Sequence, residues 1–309
     1  MSPIPAAPAA SILIPSHNRA ESLTLAVESA LAQTVRDVEV LIIGDGVTAP
    51  VRAAAHALES DPRVHFLDYP KGESHGETYR HDAIGRARSD AIMYLCDDDL
   101  LLRDHVADLL ELLESHNFVQ SLNGWITPDG AVGHYPANLA DPDTIVWHAA
   151  DWARYNLVSI TGTAHSKTYY DVVGDPWSAT PDDEWPDHHQ WRKFFRRADF
   201  RGATSARMTA LQFPTSGDGR GTWSEEERLQ ELRSWADFVR RPDAQEQLDK
   251  LVALGAISQL ERLSKRLARA ELERDRAQAE LDAITASRSW TLTGPFRAAR
   301  RTITRAVRR

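Results

Sequence analysis

The chain has 309 residues, 42% hydrophobic and 26% charged, which is enough for one large soluble domain with an appendage or for two domains. A formal net charge of −9 argues against nucleic acid as a partner, and the single cysteine, Cys96, excludes an intrachain disulfide framework and fits a reducing compartment such as the cytoplasm. Residues 1–10 lack the basic and apolar regions of a secretory signal, and no run of about 18 apolar residues is present to span a bilayer.

In chain order, a Pro/Ala-rich start over residues 1–9 is expected to be disordered. Residues 11–15 have the content of a short buried strand, and 19–33 carry Leu23, Val27, Ala30 and Leu31 at helical spacing. Residues 38–43 form a second strand, stopped by Gly44-Asp45-Gly46. A helix over 51–58, a strand over 64–67 and a helix over 77–87 follow. The apolar run 91–96 then ends in three consecutive aspartates, Asp97, Asp98 and Asp99, ahead of a helix expected over 100–113. Strands alternating with helices predict an α/β fold with a Rossmann-like, doubly wound, mainly parallel sheet. Ligands of such sheets bind outside the carboxyl ends of the strands. Three polar clusters fall at those ends, Ser16-His17-Asn18-Arg19, Gly44-Asp45-Gly46 and Asp97-Asp98-Asp99, and are expected to share one crevice.

Carboxylates gathered at a strand end repel one another unless a cation sits between them, and Mg²⁺ or Mn²⁺ takes such oxygen ligands. The alternative is that Asp99 caps the following helix and its neighbours are solvated.

From 123 to 222 the pattern weakens into a Trp-, His-, Pro- and Gly-rich region of loops and short strands, suited to facing an acceptor. A charged helix over 225–240 is broken by Arg241-Pro242, and 248–286 are rich in Ala, Glu, Leu and Arg. A heptad reading places Leu260, Leu267, Arg274 and Leu281 at one seam position and Leu263, Ala270, Ala277 and Ile284 at the other. Self-association as a coiled coil and an antiparallel helical hairpin on the body both fit that pattern. Gly294-Pro295 ends the helical stretch, and residues 287–309 hold seven arginines and no acidic residue. The chain thus divides into 1–9, 10–222, 223–286 and 287–309.

Ser11-Ile-Leu-Ile-Pro-Ser-His-Asn-Arg19, Val40-Leu-Ile-Ile-Gly-Asp-Gly46 and Tyr94-Leu-Cys-Asp-Asp-Asp-Leu100, in that order, resemble the nucleotide-sugar-binding half of family 2 glycosyltransferases with the GT-A fold. The resemblance covers 10–108 well and 161–240 more loosely. It implies a metal-dependent, inverting, hexosyltransferase-like enzyme that moves a sugar from a nucleotide-diphosphate donor to an acceptor hydroxyl. By the same resemblance Pro15, Ser16, His17 and Arg19 line the donor, with His17 where the family more often has Tyr. Asp45 meets the base, its alternative being a turn aspartate between glycines. Arg80 faces the donor, its alternative being a surface salt bridge, and Lys71 and His75 adjoin it. Asp97 lies on or near the ribose, and Asp98 and Asp99 lie at the metal, with the register open by one residue because Cys96 stands in the family's first carboxylate position.

Transfer also needs a base to take the hydroxyl proton. Asp187, four residues before Trp191, resembles the family's acidic motif at a helix start, and Asp183 and Glu184 are its rivals. His188 and His189 point about 100° apart on a helix, which excludes a shared zinc. His165 is either on an acceptor loop or structural. Trp125, Trp147, Trp152 and Trp185 are sugar-stacking or core tryptophans.

The element Ser287-Arg-Ser-Trp-Thr-Leu-Thr-Gly-Pro-Phe-Arg297 resembles one found at the ends of bacterial surface-glycan glycosyltransferases. The arginines after it surround an apolar stripe, which suits either the anionic inner face of a membrane or a disordered basic end. The resulting expectation is a cytoplasmic, peripherally bound, oligomeric enzyme with a glycan, lipid-linked or small-molecule acceptor. The rivals are a transferase acting on a soluble metabolite and a catalytically silent GT-A domain that binds glycan or scaffolds a complex.

Overall fold

The computed structural model describes residues 7–151, 156–175, 177–215, 219–287 and 293. Its strands are β1 (Ala10–Ser16), β2 (Val38–Asp45), β3 (Val64–Tyr69), β4 (Ala91–Tyr94), β5 (Leu100–Leu101), β6 (Phe118–Gln120), β7 (Gly124–Ile126), β8 (Val132–His134), β9 (Thr163–Ser166), β10 (Gly202–Thr204) and β11 (Ala210–Leu211). Its helices are α1 (Ala20–Leu31), α2 (Ala49–Leu58), α3 (Glu77–Arg86), α4 (His105–Leu113), α5 (Pro142–Ala149), α6 (Lys167–Val173), α7 (Pro186–Phe195), α8 (Glu225–Val239) and α9 (Ala244–Ala286).

Seven strands form one sheet in the order β10-β6-β9-β4-β1-β2-β3. β1 pairs in parallel with both β2 and β4, so the strand order reverses direction at the β1–β4 junction. β9 runs antiparallel between β4 and β6, which makes the sheet mixed rather than fully parallel. Central strands buried on both faces need continuous apolar runs, and β1 and β2 supply them. Side chains alternate between the faces: Ile12, Ile14, Val40 and Ile42 pack under α1, α2 and α4, while Leu13, Leu41, Ile43 and Tyr94 pack under α3, α6 and α7. A third core joins β5, β7, β8 and β11 to α8 through Leu100, Met208, Leu211, Leu232 and Ala236.

The helix expected over 100–113 starts only at His105. Leu100 and Leu101 instead pair antiparallel with Leu211 and Ala210, so Asp99 is not a helix cap. An apolar triplet suits a strand as well as a helix, and the partner strand that decides the matter lies far along the chain.

The chain divides into two compact units, Met1–Ala256 and Ile257–Arg309. α8 belongs to the first and opens with a capping box between Ser224 and Glu227. α9 is one continuous helix of 43 residues, so the hairpin reading of this stretch does not hold. In the second unit Ile257, Leu260, Leu263, Leu267, Leu281 and Ile284 are each half exposed or more. No helix among the described residues is long and apolar enough to cross a membrane. The arginine-rich tail expected over 287–309 lies outside the described residues apart from Ser287 and Thr293.

One charge is buried at the end of the sheet away from the carboxyl termini of its strands. Glu39 on β2 is 1% exposed and accepts hydrogen bonds from the Ser11 hydroxyl, the Arg88 backbone N–H and the Arg88 guanidinium. Burial works to raise the pKa of this carboxyl, but the Ser11 and Arg88 hydrogen bonds win and hold it below its ordinary value. A carboxyl depressed by folding contributes stability above its unfolded pKa and loses it as pH falls through the folded one. Glu39→Gln is therefore expected to cost about 2–3 kcal/mol at pH 7, as for a buried charge-assisted group left half-partnered. Urea unfolding at pH 7 and pH 3 checks this: the gap to the native chain should narrow in acid, and an unchanged gap would contradict the assignment.

Candidate active site

The carboxyl ends of β1 and β4 meet at the reversal of strand order, where open α/β sheets bind ligands. Ser16, the last residue of β1, donates from its hydroxyl to Asp97 Oδ2 at 2.7 Å and so ties the two strand ends together. Arg19, just before α1, donates from one guanidinium nitrogen to Asp98 Oδ2 at 2.6 Å and to Asp97 Oδ1 at 3.4 Å. Asp99 is held from the other side by the Phe213 N–H at 3.0 Å and by the Thr161 hydroxyl. Thr161 Oγ1 in turn accepts from the Cys96 N–H at 2.9 Å. Each aspartate thus has its own support.

The electrostatics are those of too many acids in a dry place. Burial, then Asp98, pushes Asp97 up to about 6. Burial raises Asp98, with Arg19 opposing it, and burial together with Asp98 raises Asp99 well above the carboxylate range. The Cys96 thiol is pushed up by burial and by Asp99 and Asp98. Among the described residues, the one group able to surround a metal ion is Cys96, Asp98 and Asp99, whose ligand atoms lie within 4.8 Å of one another.

At the end of β2, Asp45 is buried. Its Oδ1 accepts from the Gly72 N–H at 2.6 Å and its Oδ2 from Lys71 Nζ. Gly76 has φ +63°, and a Cβ there would stand 2.6 Å from the Asp45 carboxyl carbon, so this turn accepts glycine alone. His17 is exposed beside it and donates from Nδ1 to the Asp45 carbonyl at 2.7 Å, which leaves Nε2 facing outward as an acceptor when the ring is neutral. Tyr69 and Tyr79 stack at 4.3 Å beside the same loop, a pair that sequence reasoning passed over because neither lies in a recognisable motif.

Arg80 on α3 is a buried cation, not a surface salt bridge. Its guanidinium lies 5.0 Å from the Trp177 ring centroid and reaches the His75 carbonyl at 3.4 Å, while Nε has no partner among the described residues. Burial lowers its pKa, and the charges it feels most are Cys96, Glu77, Tyr94 and Asp187. Trp177 was not among the tryptophans singled out from sequence. It is buried and donates from Nε1 to Tyr94 OH at 3.1 Å. Trp185 is 60% exposed, Trp125 packs on Tyr135 and Trp147 on His148, and Trp152 lies outside the described residues.

Asp187 is the second residue of α7, half-buried, and accepts from the His188 N–H at 3.0 Å. Burial pushes it up to about 6, against the pull of helix-start N–H groups and Arg80. Its rival Glu184 is locked between His189 and Arg192, each at 2.8 Å, and their hydrogen bonds bring it below its ordinary value despite burial. Asp183 is exposed. His165 is buried, bonded to Tyr94 OH at 2.8 Å and to the Ser166 carbonyl, and driven down to about 4 by burial; it is a structural histidine.

Beyond Arg19 the site opens into a cleft of about 190 Å³ between the start of α1 and α8, lined among others by Asp98, Phe213, Arg220, Arg228 and Glu231.

Comparison with known proteins agrees with this geometry. A 111-residue stretch is 32% identical to an uncharacterized glycosyltransferase of Rickettsia felis, covering 36% of this chain and 18% of that protein. Chondroitin synthase of Pasteurella multocida is 34% identical over 129 residues, 40% of this chain and 13% of that one. The succinoglycan biosynthesis protein ExoO of Rhizobium meliloti is 32% identical over 104 residues, 34% of this chain and 29% of that one. The chain therefore matches less than a third of the length of each of these relatives. Among solved structures, S. aureus TarS 1–349 in complex with UDP-GlcNAc superimposes with a TM-score of 0.52 at 11% identity, over 80% of this chain and 71% of that one, a likeness of fold. The model of the family "Glycosyl transferase family 2" matches residues 11–170, just over half of the sequence, and the chain belongs to that family, with the GT-A fold.

Proposed function

We propose that the chain is an inverting transferase that moves a sugar from a nucleoside-diphosphate donor to an acceptor hydroxyl, using a divalent cation. The observation that carries this reading is the support of three adjacent aspartates at the β1–β4 junction, with the buried Arg80 in electrostatic reach of both that junction and Asp187. The side chains there fit Mg²⁺ or Mn²⁺. The Asp98 and Asp99 oxygens lie close together beside the Cys96 thiol, and the raised pKa values of the two carboxyls mark a crowding of negative charge that a cation relieves. Asp98 and Asp99 would hold the ion, which when bound neutralises charge on the departing diphosphate.

The chain's own residues supply the rest of the mechanism. Pro15, Ser16, His17 and Asp45 border the base and Asp97 the ribose, while Arg80 offers its guanidinium to the donor from beneath. Asp187 takes the proton of the acceptor hydroxyl as that oxygen attacks the anomeric carbon from the face opposite the diphosphate. A carboxylate titrating near 6 is ionised at neutral pH and still basic enough to take part. The names of the partial relatives support a polysaccharide or other cell-envelope glycan as the product. The exposed leucine stripe of α9 supports pairing with a second copy, and the arginines beyond Ser287 support peripheral contact with the anionic cytoplasmic face of a membrane.

Turnover of UDP-, GDP- and dTDP-sugars with Mn²⁺ or Mg²⁺ tests the reading, and a chain that neither binds nor turns over any of them is the silent GT-A domain instead. Asp187→Asn is expected to lower kcat by about 10²–10⁴-fold while donor affinity stays within about threefold. In the native chain kcat/KM should fall below pH about 6, where Asp187 and Asp97 both protonate, and the fall should be shallower in the variant, which keeps only Asp97. Sedimentation equilibrium should show an oligomer that Leu260→Ser with Leu267→Ser converts to monomer; a monomeric native chain removes the coiled coil. Liposomes with anionic lipid should float the full chain but not one ending at Ala286, and equal flotation removes the membrane contact.

A further inference from the structure

Phe213 holds Asp99 through its backbone, so whatever fixes that backbone also fixes the acid. The strand before it does little of this work. β11 is two residues long, pairs only with Leu100 and Leu101, and ends before Phe213. The peptide unit joining Gln212 to Phe213 is pinned at two atoms: its carbonyl accepts from the Ile126 N–H at 2.9 Å, and its N–H donates to Asp99 Oδ1 at 3.0 Å. A plane held at those two atoms can still turn about the line between them, and the turn would swing the Phe213 ring. That ring is buried, 6.3 Å from the Trp235 ring of α8 and 5.8 Å from the Arg220 guanidinium.

Arg220 is 0% exposed, and its contacts converge on this one residue. Two of its nitrogens grip the two carboxylate oxygens of Glu231 on α8, at 2.7 and 2.6 Å. A third reaches the carbonyl of Pro214, the residue after Phe213, at 3.4 Å. The guanidinium also lies 5.6 Å from the Trp223 ring, just before α8 begins. Leu232, Ala236 and Val239 seat α8 in the third core, so Glu231 is a fixed anchor. A buried ion pair adds little net stability over well-packed apolar side chains, because desolvation offsets the attraction. What a two-pronged arginine–carboxylate pair does supply is a single geometry.

We infer that Arg220 and Glu231 are positioning residues for the divalent cation: they set Phe213, Phe213 sets Asp99, and affinity for the ion depends on both. This rests on the transferase reading above, in which Asp98 and Asp99 hold that ion. Without the Phe213 N–H, Asp99 keeps only the Thr161 hydroxyl. Ligating carboxylates depend on such outer hydrogen bonds, whose loss typically costs about 10–100-fold in metal affinity. The coupling is reciprocal. If the clamp favours the ion, the ion must favour the clamp by the same factor.

Mn²⁺ titrated into the full chain with UDP present, followed by the paramagnetic resonance of the free ion, tests this. Arg220→Gln and Glu231→Gln should each weaken Mn²⁺ about tenfold, and Arg220→Lys, which keeps the charge without the fork, about threefold. Glu39→Gln, which removes a buried acid at the far end of the sheet, should also melt lower yet bind Mn²⁺ within about twofold of the native chain. Hydrogen exchange of the native chain gives a readout that a purely structural clamp would not move. The Trp223 N–H is bonded to the Arg220 carbonyl at 3.0 Å, and Mn²⁺ at ten times its Kd should slow its exchange about fivefold. Should Arg220→Gln fail to fold, Arg220→Lys and this exchange measurement decide. Native Mn²⁺ affinity in the clamp variants, an equal loss in Glu39→Gln, or Trp223 exchange indifferent to bound Mn²⁺ overturns the proposal and leaves the transferase reading standing. A native chain that binds no Mn²⁺ overturns both.

Discussion

Three neighbouring carboxylates placed where two strands diverge repel one another, and much of the surrounding structure exists to hold them there. Ser16 reaches across from β1, Arg19 from the turn before α1, Thr161 from the segment before β9 and the Phe213 N–H from beyond β11. A hydrogen bond to a charged group is strong, and each of these binds a different oxygen. The result is a rigid acidic pocket whose surplus charge is only partly cancelled by protein.

Much of the first hundred residues was legible in the sequence because two periodicities alternate there without interruption. Ile12, Ile14, Val40 and Ile42 are apolar at period two, and Leu23, Val27 and Ala30 at helical spacing. These patterns respond to burial alone, which local sequence records faithfully. The positions of Asp45 and Asp97–Asp99 followed directly, since strand ends fix where such residues fall. What failed to show was whatever depends on a distant partner. Leu100–Leu101 became a strand because Ala210–Leu211 was there to pair with it. Trp177 came to lie against Arg80 through packing that no short window contains.

The rival bases illustrate the same limit. Asp183, Glu184 and Asp187 are equivalent as text, and only tertiary placement separates them. Glu184 found two cations and became an ion-pair anchor, Asp183 is exposed, and Asp187 sits at a helix start in a drier setting, held by the His188 N–H and within the field of Arg80. Desolvation and hydrogen bonding push a carboxyl in opposite directions, so neighbours decide which acid stays reactive.

The bonds on Asp99 carry a consequence for how the protein comes into being. Its two holders are separated from it by 62 and 114 positions, both later in the chain. A polypeptide emerging from a ribosome can close β1, β2 and β3 together from their own sequence, yet it must wait for Phe213 before its acids are fully restrained. Vectorial synthesis therefore delivers the sheet before the last of these restraints, and a product that stalls before that residue inherits the sheet with Asp99 only half held.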